Sequence, residues 1–200
     1  MTTIPENNSE HFSITFSNLD ASDQEISEAT FEICNFHSCN FSATKFHKCK
    51  FIDCEFSSSN LSNINVSYSR FLDITFHECK LVGVDWTKAD WPRHSFAANL
   101  TFNNCIINDS SFFGLNFSEL VLKHCKAHDV DFRNGNFSKA QFCYTDFTSS
   151  LFAKTNLKQA DFSEAENYDI DIFNNEITGA RFSKFEAVRL LNSLDIELVD

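Results

Sequence analysis

Only four glycines, two prolines and one methionine occur in the 200 residues. So few punctuating residues exclude a collagen-like or linker-rich chain, and no Gly/Ser-rich or Pro-rich stretch marks a second domain. No run of about 18 apolar residues is present, which excludes a membrane-spanning helix. No basic stretch followed by an apolar run opens the chain, which argues against a secretory signal. The expected setting is therefore cytoplasmic. Glycine-rich phosphate loops, a nucleophile elbow and an HExxH pair are all missing, so the chain offers no catalytic motif and points to no cofactor or metal. An enzyme is not expected.

Bases are also scarce. Against 28 Asp and Glu there are 16 Lys and Arg, for a net charge of −12. That balance disfavours direct nucleic-acid binding and favours an electropositive partner. The excess lies at the two ends: residues 1–30 hold six acids and no Lys or Arg, and residues 161–200 hold ten acids and three bases. The middle is close to neutral and carries Lys45, Lys48 and Lys50 together.

What the chain does have is eight cysteines and 24 phenylalanines, 20 of which fall on a beat of five. A large apolar residue recurs at Phe31, Phe36, Phe41, Phe46, Phe51 and Phe56, and the beat extends from Phe16 to Phe182. It slips by one residue between Phe96 and Phe102. A period of five suits neither an α-helix nor a simple strand. None of the 16 basic and 28 acidic residues falls on a beat position or two before one. Charge avoids a packed interior, so each repeat turns two residues inward and three outward. Among the beat residues only Asn167 is polar.

Five residues that turn a corner and repeat close a coil in four sides, and stacked coils pair like parallel strands. Asn or Asp often precedes the beat residue, as at Asn40, Asn60, Asp131 and Asp161, and such side chains support turns. Cys34, Cys39, Cys49, Cys54, Cys79, Cys105 and Cys125 take the inward position two before the beat, and reduced core thiols are expected there. Cys143 directly follows Phe142 and should face out. His37, His47 and His77 also follow beat residues and should be surface groups, not metal ligands.

Stretches such as Ala160-Asp161-Phe162-Ser163-Glu164 and Cys39-Asn40-Phe41-Ser42-Ala43 resemble the pentapeptide-repeat family, whose pattern is small, Asp/Asn, Leu/Phe and two variable residues. The resemblance implies an all-β fold, a right-handed quadrilateral β-helix of eight to nine coils over residues 14–182. Residues 1–13 are then an N-terminal cap or frayed segment, and residues 183–200 a C-terminal capping helix and tail. Ser183 and Glu186 have capping-box spacing, and Asp195–Val199 alternates like a short strand.

The C-terminus is similar to that of the Qnr-like quinolone-resistance branch, where a comparable helix pairs two rods. This implies a homodimer through Phe185, Val188, Leu190, Leu191, Leu194, Ile196 and Leu198. The branch further implies a DNA mimic that binds a type II topoisomerase, DNA gyrase or topoisomerase IV, and protects against quinolones or gyrase poisons. The acidic block of Asp161, Glu164, Glu166, Asp169, Asp171 and Glu176 is its candidate contact. The chain departs from that branch in its neutral middle and in having no long loop insertion, since its one interruption is the single-residue slip. A scaffold rod without a topoisomerase partner is the alternative.

Overall fold

A computed structural model describes residues 4–91 and 99–197. Short strands, most of three residues, pair in parallel with the strand one coil away, and four such columns enclose one core. The result is a right-handed quadrilateral solenoid of about eight coils. The first column starts with Glu10–Phe12 and aligns His11, Phe31, Phe51 and Phe71. The second holds a six-stranded sheet from Thr15–Ser17 to Val121–Lys123. The third and fourth are mainly isolated bridges, such as Asp20 with Asn40 and Ser111 with Asp131. The coil begins at Glu10, not at residue 14, because Glu10–Phe12 pairs in register with Thr30–Glu32.

The beat builds the core as expected. Phe16, Phe36 and Phe56 stack with centroids 5.0 and 4.5 Å apart and rings within 9° of parallel. Rings in neighbouring columns meet edge to face, as Phe31 and Phe36 do at 5.4 Å and 70°. Both arrangements are favoured by the ring quadrupole. The small residue two before each beat does more than fill space. Cys49, Ser69 and Thr44 donate to the carbonyls of Ile26, Phe46 and Ala21 in the coil below, at 3.2, 2.9 and 2.8 Å. Cys, Ser and Thr are interchangeable there because each is small and carries a donor.

The corners use a residue the beat does not reveal. The left-handed position is two after the beat, and it is held by Glu28, Ile33, Lys48 and Tyr144 at φ of 55° to 59°. For a non-glycine residue this costs about 1 kcal/mol. Each such N–H is anchored to the next coil, as Ile33 N is to Ile52 O at 2.9 Å and Lys48 N to Ser67 O at 3.2 Å. Asn and Asp before the beat brace the turn from the other side: Asn65 Oδ1 accepts from Ser67 N at 2.9 Å and Asp131 Oδ1 from Arg133 N at 3.0 Å.

Three expectations need correction. The single-residue slip is a longer insertion: Val84 bonds Ser110 across a separation of 26, where equivalent pairs elsewhere are 20 apart. Ile74 likewise pairs with Leu100. Phe96 mimics a beat position but lies outside the described residues, and the ladder closes without using it. Second, Asn167 and Ile172 are not the inward residues of the last coil. Tyr168 and Ile170 are buried in their place, and Phe152 pairs with Ile170. Third, Ser183 and Glu186 form no capping box. Ser183 Oγ bonds Glu164, Glu186 Oε1 accepts from Asn167 N, and the Glu186–Leu194 segment is a 3-10 helix without a side-chain cap. Asp195 then turns at φ 51° and no strand follows among the described residues.

Candidate partner-binding surface

The six acidic-block residues form a ring around the last coil, and no single face gathers them all. Ladder pairing puts Asp161 above Gln141, Glu166 above Asp146 and Glu176 above Asn156, in three different columns. Asp169 and Asp171 flank Ile170 in the remaining one. Glu164, Glu166, Asp169, Asp171 and Glu176 are exposed, and Asp161 is half-buried.

Their local partners differ. Asp161 is 3.2 Å from Arg181. Burial would raise its carboxyl, but hydrogen bonds from Ser163 and the Arg181 charge outweigh that and lower it. Glu176 is lowered by bonds from Thr178 and by Lys158, which stands 3.5 Å away. Glu164 accepts from Ser183 Oγ at 2.9 Å. Beneath the ring, burial would likewise raise Asp146, yet bonds from Asn167, Thr148 and His128 hold it at about 2. Asp161 and Glu176 are therefore held in the charged form by these partners.

Beside this ring lies an apolar end. Phe185 is 90% exposed, and Val188, Leu194 and Ile196 are exposed as well. Leu191 is half-buried, whereas Leu190 packs onto the core. Leu198 lies outside the described residues. An open groove of 390 Å³ separates the last coil from this segment, between Glu164 and Glu166 on one side and Ser183 and Phe185 on the other. Arg189 ties the helix down by donating to Tyr168 O at 3.0 Å. Leaving a phenylalanine almost wholly in water is costly unless something covers it.

Sequence reasoning passed over Phe113, Leu151 and Phe173, which are 45%, 46% and 75% exposed. The signal was present: each sits beside a beat residue, where the repeat points side chains outward.

All eight cysteines are free, and all but Cys143 are buried. Burial pushes Cys49 and Cys54 up to about 11 and Cys79 up to about 12, so they stay protonated donors. Cys143 is half-buried and is raised by burial and by Asp161. Among the described residues no group of His, Cys, Asp or Glu could hold a metal ion, and no helix is long and apolar enough to cross a membrane.

Fold and surface together define a parallel β-solenoid built from stacked five-residue repeats. The chain belongs to the pentapeptide-repeat family: the family model, described as a pentapeptide repeat region, matches residues 29–100 and 96–162. It is 28% identical over 80 residues to the pentapeptide repeat protein QnrB4 of Escherichia coli, covering 40% of this chain and 37% of that protein. Trypsin-treated QnrB1, a plasmid-mediated fluoroquinolone resistance protein, superposes with a TM-score of 0.71 at 17% identity, covering 96% of this chain and all of that one. HetL, a pentapeptide repeat protein involved in heterocyst differentiation regulation in the cyanobacterium Nostoc, gives 0.57 at 13% identity, covering 90% and 88%. At these identities the structural likenesses establish the fold alone.

Proposed function

We propose that this protein is a non-catalytic, DNA-mimicking rod that binds a type II topoisomerase, DNA gyrase or topoisomerase IV. On this reading it acts as a cytoplasmic homodimer and counters quinolones or other gyrase poisons. The observation that carries the proposal is the acidic end coil, a ring of exposed carboxylates beside an uncovered apolar end. Pairing two such ends places two segments of ten acids and three bases side by side. A basic groove built for the DNA backbone attracts such a block. Similarity to QnrB4 and QnrB1 supports the choice of partner class.

The neutral middle, with Lys45, Lys48 and Lys50 on its surface, favours a narrower contact than a full-length DNA mimic would make. It also favours the second reading, a scaffold rod with no topoisomerase partner. Titration into a gyrase supercoiling assay, with and without ciprofloxacin and at two salt concentrations, separates the two. Inhibition or protection that weakens with salt is expected. No effect and no binding at low salt would remove the topoisomerase. For the dimer, Phe185→Asp should give a monomer by light scattering without loss of fold, since the side chain is 90% exposed. A persistent dimer would refute the end-to-end contact.

A further inference from the structure

We propose that the fourth column of the upper coils is a docking surface for an arginine-bearing segment of a partner protein. The proposal rests on the acidic end being the partner-binding end, but not on the partner being a topoisomerase.

The surface is created by the register change in the last coil. Because Phe152 pairs with Ile170, the two residues beside Ile170 take the outward positions of this column. Those residues are Asp169 and Asp171, and both are exposed. Had the beat continued, only Asp171 would have stood beside the inward residue of this face. Residues two apart on an extended strand lie about 6–7 Å apart, so the two carboxylates form a wide fork. Leu151 and Ala153 occupy the same outward positions one coil below. With Phe152 between them, they give the 220 Å³ groove an apolar floor.

Among the described residues no basic side chain pairs with this fork. Arg133 borders the groove but is committed elsewhere. Its Nε and Nη2 donate to the two oxygens of Asp131 at 2.9 and 2.8 Å, and its guanidinium lies 5.8 Å over Phe113. Among the described residues the Asp171 carboxylate accepts only from Phe173 N, at 2.8 Å, and neither Asp169 nor Asp171 is in an ion pair.

An exposed apolar floor beneath two unpaired carboxylates selects a long side chain with an apolar stem and a cationic head. Arginine suits it better than lysine, because a planar guanidinium presents donors in two directions at once. Phe173, 75% exposed and next to Asp171 in the turn, offers a ring for an apolar residue flanking that arginine.

The test is an amide NMR titration of the full chain with the capped tetrapeptide Leu-Arg-Leu-Arg and its citrulline counterpart, which keeps shape and loses charge. Saturable shifts confined to residues 150–153 and 169–173 are expected, with citrulline binding at least about tenfold weaker. Asp169→Asn with Asp171→Asn should cause the same loss, while Glu164→Gln with Glu176→Gln should not. Asparagine keeps the oxygen that accepts from Phe173 N, so the turn survives. Ala153→Lys, which supplies an internal cation to pair with the fork, should block the peptide while both aspartates are kept. Equal binding of the citrulline peptide, shifts spread evenly around the acidic ring, or unchanged binding by the double Asn variant would each overturn the proposal. Peptide binding together with a silent gyrase assay would keep the docking surface and remove the topoisomerase; the reverse would remove the surface alone.

Discussion

The body of the solenoid and its last coil obey different rules. In the body the beat decides everything: Phe36, Phe56 and Phe76 are at most 1% exposed, and each stacks on the ring a coil away. In the last coil the beat fails. Tyr168 and Ile170 displace Asn167 and Ile172 from the interior, Ile177 and Phe182 are only partly covered, and Phe173 and Phe185 stand in water. Regular stacking buries apolar surface on every side, so it yields stability and offers a partner little. Where the register breaks, apolar and charged groups come to lie side by side. The interior explains why the rod stands, and the irregular end is where apolar and charged groups are left uncovered together.

Substitution at the two places should separate these roles. Phe36→Ala removes a ring stacked on both sides and should cost about 3–5 kcal/mol in urea unfolding. Phe173→Ala should stay within about 0.5 kcal/mol of the parent. Similar losses at both sites would show that the end coil is as much core as the body.

A smaller effect tests the small inward residues. Cys49→Ser keeps a donor to Ile26 O and should be nearly neutral, whereas Cys49→Val removes it and should cost about 1 kcal/mol. Equal stability of the two variants would mean that volume alone matters there.

An effect of similar size is expected at Asp146, which links the end coil, through Asn167, to the coil below, through His128. Its folded pKa, about 2, is depressed from 3.8, so its contribution is complete above about pH 4 and fades as pH falls through about 2. Solvent screening limits this to about 1 kcal/mol. Asp146→Asn should flatten the stability profile between about pH 4 and 2. An unchanged acid limb would mean that the bonds from Asn167, Thr148 and His128 carry no linkage.

The same contrast explains what could be read from residues alone. The phenylalanine beat reveals the body because burial leaves a compositional mark at every repeat. The left-handed corners leave a weaker one. Gly83, Gly114, Gly179 and several Asn and Asp residues sit there, but Ile33, Lys48 and Tyr144 share the same backbone conformation, held by bonds to the next coil, so residue type alone does not locate it. Phe96 kept the beat going across the insertion by coincidence of type, and only pairing of Ile74 with Leu100 exposes the extra length. Asn167, the single polar beat residue, did mark the place where the register changes, although periodicity cannot say which neighbour turns inward. The acidic block was visible as charge, but its arrangement as a ring, with Asp169 and Asp171 brought to one face, follows from that register change. Ser183 and Glu186 had capping spacing, yet tertiary partners Glu164 and Asn167 took both side chains.

On the proposed function it is the C-terminal coil, and not acidity in general, that meets the partner. Both ends are acidic, so a gyrase supercoiling titration can compare two neutralised variants with the parent. One carries Asp161→Asn, Glu164→Gln, Asp169→Asn and Glu176→Gln; the other carries Asp20→Asn, Asp23→Asn, Glu25→Gln and Glu28→Gln. The first should lose most of the parent's effect and the second should retain it. Equal loss in both, or loss only in the second, would contradict the account.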